Sequence, residues 1–393
     1  MDAVRVVLID PDDASREALQ HLLQGLDSVW LTEVCGSYAA ASKAVVDQAP
    51  HLVVLGLDYD PERALALLAE LARSAPSSAL LPASARTAGD LILRSIRAGA
   101  REFLTLPADP EQLIAAIGRL VSAGSGGAPR LGGRVVAVAG AAGGVGCTTL
   151  AVNLAAIAAR DASRTVALAD FDLLLGAADA CLDVVSDYTL AEVAQNAERL
   201  DLSLLKRSMA RHRSGVHLLP RPASMDEIAR IEPDAFRRVI SLLRAAFGFV
   251  VIDTSKALHA SDVVAWEMAD QVLLVIQLEL TCLRNTARLL QAVRQVDGLI
   301  EKTRVVVNRG DFRDCQIAPR KAEEALNLPV AWTLPDAHHE VALARSRGVP
   351  IGDAFPKSKI QKAFDDLARG VLAAAGLAEA PAARRRGRLA AMF

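Results

Sequence analysis

The stretch Ala141-Ala142-Gly143-Gly144-Val145-Gly146-Cys147-Thr148-Thr149 has the residue types that hold a phosphate. It follows an apolar run that predicts a strand and opens a run that predicts a helix, the context such a loop requires. Glycines let successive backbone N–H groups turn inward around phosphate oxygens. The helix N-terminus aims a partial positive charge at the same anion. Gly143, Gly144, Val145, Gly146, Cys147, Thr148 and Thr149 are therefore the candidate phosphate cradle, and the Thr148 hydroxyl is a candidate Mg2+ ligand. The usual lysine is missing. In the pattern G-x-x-x-x-G-K-[ST], Cys147 stands at the lysine and Ala141 at the first glycine. A neutral thiol cannot offset charge on β- and γ-phosphates. At an effective dielectric near 20, one unit charge at about 4 Å is worth about 4 kcal/mol before desolvation. Weakened binding is predicted, and phosphoryl transfer weakened further, because charge neutralisation is most of what such a site does. The plainer alternative is a helix-opening turn without a ligand.

The elements around this loop alternate. From Arg134 onward, strands are predicted at Val135–Ala139, Val166–Asp170, Val216–Leu219, Phe249–Asp253, Gln271–Ile276, Arg304–Asn308 and Val330–Thr333. Long helices fall between them, notably Thr149–Ala159, Asp234–Ala246, Thr281–Val296 and Lys359–Ala375. Right-handed crossovers make this a doubly wound parallel sheet, with ligands expected at the carboxyl ends of its strands. Three aspartates fall at such ends: Asp170 and Asp172 in Ala169-Asp170-Phe171-Asp172, and Asp253 closing Val250-Val251-Ile252-Asp253. Any one alone reads equally well as a turn or cap residue. Lys256 follows Asp253 by three residues. It reads as a surface lysine, the alternative being a cation that swings into the phosphate site.

Residues 1–121 form an earlier series of five strand–helix units. Strands are predicted at Val4–Ile9, Trp30–Cys35, Leu52–Leu55, Ala79–Ala83 and Glu102–Leu104, with helices Asp13–Gln24, Ala39–Val46, Pro61–Arg73, Ala88–Ala98 and Pro110–Val121. Residues 122–133, rich in Gly and Ser, read as a flexible linker. The second domain is assigned to 134–378 and a basic, disordered tail to 379–393.

Composition agrees with two α/β domains. The chain has 393 residues, 52% apolar and 23% charged, and only 4% aromatic, so Ala, Leu and Val must build the core. A net charge of −2 gives no basic excess to argue for nucleic acid. Cys35, Cys147, Cys181, Cys282 and Cys315 are scattered without metal-ligand spacing, as expected of free thiols in a reducing compartment. Asp2 and Arg5 interrupt the start, and no signal peptide is expected. Val135 to Ala159 is uncharged and long enough to span a bilayer, but its glycine-rich centre favours strand, loop and buried helix.

The glycine loop resembles the deviant Walker A motif of the MinD/ParA (SIMIBI) class of P-loop NTPases, usually K-G-G-x-G-K-T-T. Ala142 falls at that class's signature lysine and Cys147 at its phosphate lysine; both lysines are gone. The resemblance extends along nearly the whole second domain. It implies ATP or ADP with Mg2+ as ligands, Asp170 near Mg2+, Asp172 near the attacking water, and Asp253 holding Mg2+ through water. Val305-Val306-Val307-Asn308-Arg309 resembles the strand whose asparagine, here Asn308, contacts adenine. Leu334-Pro335-Asp336, Ala344 and Gly348-Val349-Pro350 resemble the late P-D, A and G-x-P pattern.

The first domain resembles response-regulator receivers (flavodoxin-like) stripped of their chemistry. Asp10-Pro11-Asp12 falls at the acidic pair, Gly56 where the phosphoacceptor aspartate should be, Ser84 at the switch hydroxyl and Leu106 at the lysine. Acyl-phosphate formation needs a carboxylate, a metal and a cation, so a protein-binding pseudo-receiver is expected. Asp58, two residues on, is the alternative nucleophile.

A pseudo-receiver joined to a lysine-poor MinD/ParA-like domain resembles the CpaE/TadZ family of Flp-type (Tad) pilus assembly. The resemblance implies a cytoplasmic, polar localisation factor at the periphery of the inner membrane. It implies a homodimer with weak or absent ATPase activity that contacts the pilus secretion ATPase and inner-membrane platform proteins. Arg384-Arg385-Arg386-Gly387-Arg388 followed by an apolar end suggests a peripheral membrane contact, or else a solvated tail. The rival readings are an active ParA/MinD-type ATPase positioning cargo on membrane or DNA, and a phosphorylated regulator.

Overall fold

The computed structural model describes residues 4–26, 29–122, 133–196, 202–229, 231, 233–311 and 317–377. The predicted tail lies outside them, as do Cys315 and nearly all of the predicted linker. Two sheets organise the chain. The first comprises Val4–Ile9 (β1), Val29–Cys35 (β2), Leu52–Gly56 (β3), Ala79–Ser84 (β4) and Leu104–Thr105 (β5), all parallel, in the order β2-β1-β3-β4-β5. Helices Asp13–Gly25, Tyr38–Gln48, Pro61–Ser74, Gly89–Arg97 and Pro110–Ser122 connect and follow the strands. Their starts are written locally. Asp12 accepts from Ser15 N at 2.8 Å, capping the first helix. Asp60 accepts from Arg63 N at 3.1 Å, with Pro61 in the first turn. Asp12, one of the expected acidic pair, is thus engaged as a helix cap.

The second sheet has eight strands: Arg134–Gly140 (β6), Val166–Asp170 (β7), Ala210–Arg211 (β8), Val216–Leu219 (β9), Phe249–Asp253 (β10), Gln271–Ile276 (β11), Thr303–Val307 (β12) and Val330–Thr333 (β13). Their order is β13-β12-β11-β6-β10-β7-β9-β8. All pairs are parallel except β8 with β9. Strands β6, β7, β10 and β11 are buried almost throughout, as expected of a parallel sheet covered on both faces. The register puts Asp253 opposite Asp170 across β10 and β7, and Asp253 opposite Val138 on β6. Adjacent strands therefore present the glycine loop, Asp253 and Asp170 together at the carboxyl end of the sheet.

The uncharged stretch over Val135 to Ala159 forms β6, the loop and the helix Cys147–Ala158, which buries Leu150, Val152, Asn153 and Leu154 among others. Among the described residues no helix is long and apolar enough to cross a membrane. Many predicted boundaries move by a few residues, the helix expected at Thr281–Val296 being Leu280–Val293, and two of the shifts bear on the candidate sites. The fifth strand, expected at Glu102–Leu104, is the two-residue Leu104–Thr105, and the strand expected at Arg304–Asn308 ends at Val307. Asn308 still donates its backbone N–H to the Ile276 carbonyl of β11 at 2.8 Å, and it turns its side chain to the glycine loop.

Candidate functional site

The loop leaves β6 at Gly140 and enters the helix Cys147–Ala158 through Gly146, whose φ of +105° only glycine adopts freely; Gly144 has φ +73°. No side chain caps this helix. A helix whose first N–H groups lack a side-chain cap at the mouth of a sheet is built to receive an anion. The late segment braces the helix from behind: Ile351 N donates to Asn153 Oδ1 at 2.8 Å, and Asn153 Nδ2 donates to the Thr149 carbonyl at 2.8 Å. Asn308 Nδ2 donates to the Val145 carbonyl at 2.7 Å. Asn308 thereby fixes the loop.

The carboxylates converge below the loop. Asp253 is 1% exposed, and neither of its oxygens has a hydrogen bond of sound geometry. Burial, then the charge of Asp170, push its pKa well above the carboxylate range, against the pull of the Thr148 hydroxyl and Lys256. Asp170 is also 1% exposed. Its oxygens accept from Asp172 N at 3.2 Å and Ala178 N at 3.1 Å, yet burial pushes its pKa up to about 7. Two buried carboxylates so placed, one with orphaned oxygens, need protons or a cation. The donor set of Asp253, Asp170 and the Thr148 hydroxyl, all oxygen, fits Mg2+ better than a softer metal.

Asp172 stands closer to the mouth. Its carboxylate accepts from Leu175 N at 3.2 Å and lies 3.9 Å from Lys256 Nζ. Lys256, read from sequence as a surface lysine, is exposed and sits at the site's edge. It lines a cavity of about 350 Å3 with Gly140, Ala141, Ser255, Trp266 and Arg288. Sequence reasoning could not settle this position, because Lys256 lies in the irregular segment after β10, where no periodicity sets direction. Cys147 gains no reactivity from the helix terminus. Burial, reinforced by Asp253, raises its pKa well above that of a free thiol, so it stays neutral.

In the first domain, Gly56 ends β3 against Asp10, which is 1% exposed. Asp58 is already engaged: the Ser84 hydroxyl donates to one oxygen and Ala85 N to the other at 2.7 Å.

Residues 133–305 match the model of an AAA domain family. Among curated proteins, the chain is 28% identical over 257 residues to the antiactivator FleN of Pseudomonas aeruginosa, covering 61% of this chain and 86% of that one. It is 26% identical over 249 residues to the septum site-determining protein MinD of Thermotoga maritima, covering 61% and 88%. Among solved structures, MinD of Pyrococcus horikoshii complexed with Mg-ADP superposes with a TM-score of 0.53 at 23% identity, covering 62% of this chain and 98% of that one. The second domain is a MinD/ParA-like P-loop domain of α/β fold.

Proposed function

We propose that this chain is a positioning and assembly factor of the ParA/MinD type that serves Flp-type (Tad) pili in the manner of the CpaE/TadZ family. It acts as a homodimer that recruits the pilus secretion ATPase and inner-membrane platform proteins, at the cell pole and on the cytoplasmic face of the inner membrane. Nucleotide and Mg2+ bind weakly, and hydrolysis is slow or absent. The five-unit first domain serves as a pseudo-receiver that binds protein, and residues 383–393 add a peripheral membrane contact.

One observation carries this reading. The loop, the uncapped helix and the orphaned Asp253 keep the shape of a Mg-nucleotide site, while Ala142 and Cys147 remove the lysines that would drive turnover. Thr148, Asp170 and Asp253 would hold the cation, directly or through water. Bound there, Mg2+ supplies charge neutralisation for β- and γ-phosphates. The chain's own part is to cradle the phosphates on backbone N–H groups and to keep Asp172 at the mouth, where it can orient a water. With a neutral thiol at position 147, binding outlasts catalysis, which suits a switch read by partners. FleN and MinD, the curated relatives, support a regulatory or positioning role over a metabolic one.

Calorimetry with MgATP on the wild type beside Cys147→Lys tests the site. Weak wild-type binding, tightened about tenfold to a hundredfold by the restored charge-assisted contact, is expected. Absence of binding by both proteins would end the nucleotide reading. In cells, loss of the chain should abolish surface pili and leave division sites in place. Normal piliation with misplaced septa would transfer the role to cell division.

A further inference from the structure

Lys256 is the one lysine that the described residues bring to both sides of the glycine loop's mouth. Its Nζ lies 3.9 Å from Asp172 Oδ2. A Cβ built on Gly143, in the middle of the loop, would have Lys256 Cδ at 4.0 Å as its nearest neighbour. The same side chain lines the cavity that begins at Gly140 and Ala141. Gly143 and Gly144 otherwise face open space. One ammonium therefore hangs between Asp172 and the segment whose backbone would wrap phosphate oxygens.

We propose that Lys256 supplies, from the segment after β10, the phosphate-binding cation that Cys147 cannot. The inference rests on the nucleotide reading above and assigns the missing charge to a residue outside the loop. Three features favour it over an ordinary surface ion pair. The Asp172 contact is long and its lysine exposed, with 40% of the side chain accessible, so the pair holds the ammonium only loosely. The stem passes 4.0 Å from where a Cβ on Gly143 would sit, so little movement brings the head over a bound phosphate. The charge is felt at the critical position: Lys256 pulls down the pKa of both Cys147 and Asp253.

The surroundings explain how the cation is kept and released. Without ligand, Asp170, Asp172 and Asp253 make the mouth acidic, and Lys256 neutralises part of it. A cation held by Thr148, Asp170 and Asp253 would offset negative charge in this cluster and loosen the hold of Asp172 on Lys256. The ammonium is then free to turn to the β- and γ-phosphates, whose charge exceeds that of one carboxylate. A lysine suits this use, being a compact point charge on a flexible stem with three donors.

MgATP titrations of the wild type, Lys256→Met, Lys256→Arg, Cys147→Lys and the double variant Cys147→Lys/Lys256→Met test the assignment, with melting temperatures as a check on folding. Lys256→Met keeps the stem and removes the charge; it should weaken binding about tenfold or more, with Lys256→Arg staying within about threefold of the wild type. In the Cys147→Lys background the same Met substitution should change affinity by less than about threefold, because the loop again carries its own cation. Equal binding by wild type and Lys256→Met overturns the proposal and leaves the nucleotide reading standing. Equal loss in both backgrounds also overturns it, since that marks a structural role. Binding only by Cys147→Lys proteins overturns it too, because Lys256 then rescues nothing. Binding by none of the five proteins ends the nucleotide reading itself.

Discussion

Replacing Asp253 with Asn should make the ligand-free protein more stable at about pH 8, and should at the same time abolish its stabilisation by Mg2+ and nucleotide. Asp253 and Asp170 are register partners at the ends of β10 and β7, both buried, and both with raised pKa values. The folded state holds these carboxyls above their unfolded pKa near 3.8, Asp170 at about 7. Below about pH 4 both states are protonated and the stability these groups allow is fully present. As pH rises, the unfolded chain ionises first, and stability is lost progressively up to the folded pKa. Above it, the folded chain carries buried charge without a partner. An amide at 253 removes one of those charges and can donate to Asp170. Relief of a buried like-charge pair is worth about 1–4 kcal/mol, which raises the melting temperature by about 2–4 °C per kcal/mol. The gain should shrink toward about pH 4. Thermal denaturation across pH, with and without Mg-ADP, gives both halves. A variant less stable than the wild type at about pH 8, or still stabilised by Mg-ADP, would mean that Asp253 has another partner and is not the cation's anchor.

The same aspartate shows what a sequence reveals about such a site. Strands β7, β9, β10, β11 and β13 have the predicted boundaries because short apolar runs bounded by turn residues leave few alternatives. Once those strands are placed, the parallel register alone puts Asp170 beside Asp253, so the acidic cluster follows from order along the chain. Two things do not follow. The edge strand Ala210–Arg211 has two residues and one antiparallel partner, too short for any period to register. Lys256 and Asn308 lie just past the ends of β10 and β12, and only the packed structure shows where their side chains turn, Asn308 onto the Val145 carbonyl and Lys256 toward Asp172. Gly56 is a third case. Its type announces a missing aspartate, but not what occupies the space.

That space sets the second large effect. Gly56→Asp, which puts an aspartate where the receiver resemblance expects the phosphoacceptor, should destabilise the first domain and leave it unphosphorylated. A Cβ on Gly56 would lie 2.3 Å from Asp10 Cγ and 2.5 Å from each Asp10 oxygen. The Asp10 carboxyl, buried with its own pKa raised, fills the volume a side chain at 56 would need. The backbone is pinned as well, since the Tyr38 hydroxyl donates to the Gly56 carbonyl at 2.7 Å. The new carboxylate must displace the old one and share its burial. Overpacking costs about 1–3 kcal/mol, and an uncompensated buried charge adds about 3 kcal/mol or more. A fall in melting temperature of about 10 °C or more is expected. Asp10→Ala in the same chain should recover much of it, because it clears the collision and removes one charge. Phosphorylation should remain absent even then. Ser84 and Ala85 N, the donors nearest the end of β4, already hold the Asp58 carboxylate, and Leu106 offers no cation. On the proposed pseudo-receiver reading, the missing chemistry is a repacked core rather than one missing nucleophile. A Gly56→Asp protein that melts with the wild type and takes a phosphoryl group from a small-molecule donor would show that Asp10 moves freely and that the chemistry was one residue away.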